Sequence, residues 1–311
     1  MPRVSVIIPA YNPGRFLDVA VRSVIAQTFV DWELIIIDDG GSEDLAQVPL
    51  IDSRIRLIRQ ENRGTSAARN AGVLLAQGDL IAFLDHDDYW HPTKLERQVE
   101  VMTKDRCLGL CYTNFEIVDG QERHVRDGYS VSINSYVDLL AKNGGPCLST
   151  AMVRKHCLVS VGLFDPLYPG IQDYDLFLKL SRHFGMAFVP TCEAAYRLHG
   201  NNTSGKYMMV YREIENLAQK HWAFAYERRE HDVMAAIRQL VRNARPTYGA
   251  QAFDKARSCL RARKYREFFV HFGRSVRLAP VYVARPVLMF GFNLLLRRRP
   301  ASSVQYSAHA A

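Results

Sequence analysis

Leu80-Ile81-Ala82-Phe83-Leu84-Asp85-His86-Asp87-Asp88 joins five apolar residues to three carboxylates within nine positions. Five consecutive apolar residues leave no polar face, which suits a central strand of a parallel sheet, covered on both sides. The acids follow where such a strand leaves its sheet, and in open α/β sheets ligands bind beyond those carboxyl ends. The same order recurs upstream. Residues 4–8 (VSVII) run into Pro9-Ala10-Tyr11-Asn12, residues 33–37 (ELIII) run into Asp38-Asp39-Gly40-Gly41-Ser42, and 55–59 read as a third strand. Between these runs, apolar residues recur at helical spacing at Phe16, Leu17, Ala20, Val21, Val24 and Ile25. They do so again at Ala68, Ala71, Leu74 and Leu75, behind a helix start at Gly64-Thr65-Ser66. Pro92 stands where a third helix, carrying Leu95, Val99 and Met102, would begin. Strand and helix in alternation imply an α/β, doubly wound, mostly parallel sheet with helices on both faces.

Past a strand over 108–113 the pattern loosens. Residues 120–147 are rich in Gly, Ser, Asn and charge and read as excursions over the sheet rather than new core. Order returns over 148–153 and in a helical pattern over 174–184. From about residue 206 only helix-compatible sequence remains, so a domain boundary is expected near 205, dividing 1–204 from 205–311. Charge divides there too: residues 1–204 hold 20 Lys and Arg against 25 Asp and Glu, and residues 205–311 hold 20 against 7. The net charge of +8 therefore belongs to the tail, and a uniform nucleic-acid-binding surface is not expected.

Composition excludes a disordered chain, with 48% hydrophobic and 23% charged residues. The six cysteines form no CxxC pair and have no histidine at zinc spacing. The first apolar run is too short for a signal peptide, so reduced thiols and a cytoplasmic location are expected, with silent sequons at Asn201 and Asn202. The longest apolar stretch, 286–296, has about half the length a bilayer span needs.

Five carboxylates at two strand ends would repel one another unless their pKa values rise or a cation joins them. Hard oxygen donors on an acidic loop suit Mg²⁺ or Mn²⁺ bound together with substrate phosphates. The expectation is a divalent ion between Asp87, with Asp85 as a second ligand, and a diphosphate. A plain turn is the alternative for Asp-Asp-Gly alone, and two such clusters together weigh against it. No GxGxxG follows the first strand. Gly200 to Lys206 matches GxxxxGK, but Tyr207 stands where a P-loop needs Ser or Thr.

Six elements occur in one order: residues 4–12, Ile37-Asp38-Asp39-Gly40, Gly64-x-x-x-Ala68-Arg69-Asn70, Asp85-His86-Asp87-Asp88, Gly162-x-Phe164-Asp165 and Gln172-Asp173-Tyr174-Asp175. Together they resemble family 2 glycosyltransferases, over residues 3 to about 204. The resemblance implies a GT-A-type (Rossmann-like) mixed sheet with a helical C-terminal extension. It also implies a nucleotide-diphospho-sugar donor and transfer with inversion at the anomeric carbon. Pro9, Tyr11 and Asp39 match positions that hold base and ribose, and Arg69 one near the nucleotide. Asp85 and Asp87 match the aspartate-x-aspartate motif, the second being the usual metal ligand, with Asp88 a further candidate. Asp173 matches the catalytic base, and His199, in Tyr196-Arg197-Leu198-His199, a histidine that completes the metal site. Two positions depart from the family pattern. Gln172 replaces the usual Glu beside the base, and Gly41 replaces a Ser, which would loosen the loop after Asp39.

Inverting transfer needs a base on the acceptor side and charge neutralisation at the departing diphosphate. Asp173 would take the acceptor proton with an ordinary carboxylate pKa, kept ionised by a helix amino terminus. Its alternative role is a helix N-cap. His86 reads as a spacer, while Trp90 reads equally as core or as lining of the sugar site. Between Lys255 and Arg299 cations interleave with aromatic and aliphatic residues, with Glu267 the intervening acid after Arg257. This pattern suits peripheral contact with the cytoplasmic face of a membrane, the acceptor then being a lipid-linked glycan. A solvated face packed on the catalytic domain is the alternative. The reading as a whole is a metal-dependent glycosyltransferase of cell-surface polysaccharide or glycolipid synthesis. A noncatalytic sugar-nucleotide-binding protein and a nucleotidyltransferase are its competitors.

Overall fold

The structure is a computed structural model that describes residues 2–45, 52–128, 130, 132–142, 145–199 and 206–280. The sequons at Asn201 and Asn202, the GxxxxGK segment before Lys206 and the apolar run 286–296 lie outside the described residues. Two compact units are present, one of residues up to 199 and the other of residues from 206 onward, with 140–142 belonging to the second.

In the first unit the order is β1 (Val4–Ala10), α1 (Phe16–Ile25), β2 (Trp32–Asp38), β3 (Ile55–Arg59), α2 (Thr65–Leu75), β4 (Leu80–Phe83), β5 (Tyr89–Trp90) and α3 (Lys94–Lys104). There follow β6 (Leu108–Val118), β7 (His124–Gly128), α4 (Tyr136–Lys142), a single 3₁₀ turn (Leu148–Thr150), β8 (Met152–Arg154), α5 (Lys155–Ser160), α6 (Gln172–Ser181) and β9 (Gly185–Arg197). The strands form one nine-stranded mixed sheet ordered β3-β2-β1-β4-β8-β6-β9-β5, with β7 on β6. β1 pairs in parallel with both β2 and β4, so the three segments that leave these strands emerge at one edge.

Every residue of β1 is buried because helices cover both of its faces. Val4, Val6 and Ile8 pack in one cluster with Leu17, Val21, Leu95 and Met102 of α1 and α3. Ile7 faces the other way, onto α2, where a side chain at Gly72 would come within 2.5 Å of it. The period-two alternation of a strand thus sorts its residues between two helix layers.

One stretch differs from the sequence expectation. Residues 120–147 do add core, since Ile133, Tyr136, Leu139 and Leu140 are buried and Ile133 N–H donates to Tyr112 Oη at 2.8 Å. The reason is long-range: β6 runs five residues past the expected strand because β9 and β7 pair with its second half. The order expected over 148–153 takes the form of a 3₁₀ turn and the short β8, antiparallel to β4 and β6.

The second unit contains three helices among the described residues, α7 (Tyr207–Glu227), α8 (His231–Arg261) and α9 (Tyr265–Leu278). α8 buries Ile237, Leu240, Ala244, Tyr248, Ala252, Ala256 and Cys259 at helical spacing. Phe268 of α9 packs with Ala256 and Cys259. No helix among the described residues is long and apolar enough to cross a membrane.

Candidate active site

At the edge where β1, β2 and β4 end, the Asp38–Asp39 loop is held by turn chemistry. Asp38 Oδ1 accepts from the amides of Gly40 and Gly41, both at 3.2 Å, and its other oxygen pairs with Arg59 at 3.1 Å. Asp39, also buried, accepts from Gln60 Nε2 at 2.7 Å and from the Arg63 and Gly64 amides at 2.9 Å. Asn12 closes the loop from β1, its Oδ1 accepting from the amides of Ser42 at 2.8 Å and Glu43 at 3.3 Å. This corrects the expectation that Gly41 loosens the loop. A side chain there would sit 2.7 Å from Asn12 Oδ1, so glycine permits a close approach of two segments. Pro9 lies at the end of β1, and Tyr11 beyond it is 51% exposed.

The loop after β4 is built differently, because it gathers like charges. Asp85, Asp87 and Asp88 each bring a carboxylate oxygen within 4.8 Å of the others. Each is held by a different partner. Asp85 pairs with Arg69, a buried residue of α2 whose guanidinium lies 5.4 Å from the Phe164 ring centre. Asp87 meets His199 Nε2 at 2.7 Å, and the His199 ring stacks on Phe16 with centroids 5.4 Å apart. Asp88, wholly buried, accepts from Ser149 Oγ at 2.6 Å and from the Arg197 amide at 3.0 Å. Ser149 Oγ in turn accepts from the Asp85 amide at 3.2 Å, and Arg197 Nε donates to the Asp87 carbonyl at 2.7 Å. His86 Nδ1 donates to the Pro9 carbonyl at 3.2 Å, tying this loop to β1.

The electrostatics follow from burial and neighbours. Burial, then the charges of Asp87 and Asp85, push the Asp88 carboxyl well above the carboxylate range. Burial also pushes Asp87 upward, but the His199 hydrogen bond and the nearby imidazoles outweigh it and hold it below its ordinary value. Two carboxylates with an imidazole beside them fit a divalent cation, since hard oxygens suit Mg²⁺ or Mn²⁺ and imidazole favours a transition metal. Asp88 fits less well, because both its oxygens already accept hydrogen bonds within the fold.

Asp173 is the second residue of α6 and is buried. It is not the N-cap, a position held by Ile171; its Oδ1 accepts from the next amide, Tyr174, at 2.8 Å. The expected ordinary pKa is also corrected. Burial raises the carboxyl to about 7, with Asp85 adding to the rise and the Tyr174 amide and Arg69 opposing it. The helix-end amide is outweighed by loss of water. The charges of Arg69 and Asp85 both act on Asp173, so the three side chains are electrostatic neighbours. Gln172 accepts from Ser66 Oγ at 2.6 Å, joining the start of α6 to the start of α2.

Two quoted motifs meet physically, for Asn70 both donates to the Phe164 carbonyl at 2.9 Å and accepts from its amide at 3.0 Å. Trp90 is core, its Nε1 donating to the Ser149 carbonyl at 2.7 Å, and Lys94 lies 4.0 Å from its ring centre. Sequence reasoning missed Ser149 and Arg197. Ser149 was visible as a polar residue inside the apolar run 147–153, and Arg197 as the cation two places before His199.

A mixed sheet with a carboxylate cluster beyond its parallel strands is the arrangement of a GT-A-type glycosyltransferase fold. The chain belongs to glycosyltransferase family 2. The pattern described as "Glycosyl transferase family 2" matches residues 5–152. A Bacillus subtilis protein bearing the name teichuronic acid biosynthesis glycosyltransferase TuaG is 34% identical over 240 residues, 72% of this chain and 93% of that protein. An Escherichia coli relative, UDP-Glc:alpha-D-GlcNAc-diphosphoundecaprenol beta-1,3-glucosyltransferase WfgD, is 34% identical over 182 residues, 57% of this chain and 68% of that one. An uncharacterized glycosyltransferase of Rickettsia conorii is 32% identical over 214 residues, and the match spans only 35% of its length. In three dimensions the chain is similar to S. aureus TarS 1–349, with a TM-score of 0.59 at 14% identity, over 94% of this chain and 87% of that one.

Proposed function

We propose that this protein transfers a sugar, with inversion, from a nucleotide-diphospho-sugar to a hydroxyl of a growing cell-surface glycan. The observation that carries the reading is buried Asp173 within electrostatic reach of the Arg69–Asp85 pair. It supports a base placed close to the donor site. Asp173 is the base: a carboxyl near pKa 7 accepts a proton more readily than an ordinary aspartate, and general bases work best near the operating pH. Pro9, Tyr11 and Asp39 take the base and ribose, and Arg69 and Asp85 lie against the nucleotide-sugar. Asp87, Asp85 and His199 would hold Mn²⁺ or Mg²⁺, which when bound supplies Lewis-acid neutralisation of the departing diphosphate. Asp88, Ser149 and Arg197 fix the loop that presents these ligands.

A uridine nucleotide is the donor class this reading favours. TarS has been crystallised with UDP and with UDP-GlcNAc, and the name of WfgD specifies UDP-Glc. The diphosphoundecaprenol acceptor in the WfgD name supports a lipid-linked acceptor here. Accordingly the catalytic region is 1–204, and the basic helical region 205–311 contacts the cytoplasmic face of the membrane from outside the bilayer. A panel of nucleotide-sugars, each with and without Mn²⁺, tests the donor assignment by thermal stabilisation, since a ligand of the folded state raises its apparent stability. A Mn²⁺-dependent rise with a UDP-sugar is expected. No rise with any nucleotide-sugar would sink the proposal.

A further inference from the structure

In the second unit, exposed rings and cations come together at the hairpin between α8 and α9. Residues 261–266 read Arg-Ala-Arg-Lys-Tyr-Arg, and every one is exposed. At about 100° per residue, the buried Phe268 and Ser275 fall on one side of α9, and Arg266, Arg277 and Val270 fall on the opposite side. Tyr265, Phe269 and Val276 line one shoulder of that outer face, with 58%, 69% and 42% of their surface in water. Residues 255–278 contain eight Lys or Arg and a single acid, Glu267, which pairs with Lys264 at 3.8 Å. An amphipathic helix used only for packing would turn Phe269 inward. Here its rings stand outside among cations.

The turn itself places a cation where glycine is usual. Arg263 has φ +57°, and α8 closes with Lys264 N–H donating to the Cys259 carbonyl at 2.9 Å and Arg263 N–H to that of Leu260 at 3.1 Å. This is the paired closure that ordinarily selects glycine at the left-handed position. An arginine there keeps its side chain at the tip of the hairpin.

We infer that the α8–α9 hairpin docks on an anionic lipid bilayer. Arg261, Arg263, Lys264 and Arg266 meet lipid phosphates while Tyr265 and Phe269 enter the headgroup region. Charge complementarity selects this partner, because basic segments are drawn to anionic leaflets and exposed aromatic side chains bury their rings at the interface. The inference rests on the peripheral-membrane part of the proposed function and assigns it to named residues.

The test is sedimentation of the full-length chain with vesicles of phosphatidylcholine alone, or of an equal mixture with phosphatidylglycerol. Binding to the mixture and not to phosphatidylcholine is expected. Arg263→Gly and Lys264→Gln should each weaken it about five-fold, and Tyr265→Ser with Phe269→Ser about ten-fold. Arg263→Gly also suits the local backbone, so its thermal midpoint should not fall and lost binding cannot come from misfolding. Transfer to a water-soluble acceptor should stay unchanged in all of these variants. If the full chain ignores mixed vesicles, both the peripheral reading and the hairpin assignment fail. If hairpin variants bind like the wild type while Arg297→Gln, Arg298→Gln and Arg299→Gln together abolish binding, the hairpin assignment alone fails.

Discussion

Two acidic loops leave the parallel strands on either side of β1, and they do different physical work. After β2, Asp38 and Asp39 accept backbone amides, a glutamine and an arginine, all from within the loop or its neighbours. Their charges are absorbed in shaping a turn. After β4, Asp85, Asp87 and Asp88 crowd together, and burial and mutual repulsion drive Asp88 upward while His199 holds Asp87 down. Similar strings of aspartate and glycine thus conceal one loop that satisfies its own charges and another that concentrates them. Of the two, the second brings three carboxylates within reach of one cation.

The sharpest probe of this contrast is Asp173, on which the charge of Asp85 in the concentrated loop acts. Asp173→Asn should lower the transfer rate by about 10²- to 10⁴-fold with nucleotide affinity within a few fold, measured by product formation and by titration. The same variant should gain stability at alkaline pH. Folding raises the carboxyl from 3.8 to about 7, so its favourable contribution is complete below about pH 4 and disappears as pH rises through 7. Thermal midpoints of variant and wild type should therefore converge toward pH 4, part as pH rises from 4 to about 7 and stay apart above it, and a gap unchanged from pH 4 to 7 would remove the raised pKa. For the wild type, the transfer rate should fall as pH drops below about 7, as the base takes up its proton.

Next in size, Asp87→Ala should weaken Mn²⁺-dependent nucleotide binding by about 10- to 100-fold in a calorimetric titration. Asp38→Ala in the same assay should change it only a few fold. Equal losses would erase the distinction between the loops. Ser149→Ala removes the donor to Asp88 and the acceptor of the Asp85 amide, and should lower activity about ten-fold, with unfolding free energy reduced by about 1–3 kcal/mol because buried partners lose their bonds. The smallest effect belongs to the self-satisfied loop. Asp38→Ala should reduce unfolding free energy by about 1 kcal/mol in a denaturant titration, for the loss of two amide hydrogen bonds and an exposed arginine pair.

The parallel half of the sheet was legible because its strands are local runs of apolar residues, each followed by its own helix. β1, β2, β3 and β4 all lie within a residue or two of the expected ranges. The rest depended on partners far away in sequence. β6 cannot be measured from its own residues, because β9 decides where it stops. Residues 133–140 look like loop until distant partners are in place, Tyr112 accepting from the Ile133 amide and Tyr174 donating to the Leu139 carbonyl. At the site, residue types were readable but burial was not. Asp173 looked like a helix cap with an ordinary pKa, yet nothing in a string of letters records how much water the fold takes from it. Arg197 and Ser149 escaped for a related reason: each acts by holding a neighbour rather than by carrying an obvious reactive group.

The contact between His199 and Asp87 spans 112 positions of the chain. During synthesis at about 5–20 residues per second, Asp87 leaves the ribosome roughly 6 to 20 seconds before the imidazole that will steady it. For that interval the acidic loop has Arg69 beside Asp85 but lacks both the Arg197 amide on Asp88 and the imidazole on Asp87. The loop after β4 is therefore completed only by the end of β9 and the residues that follow it.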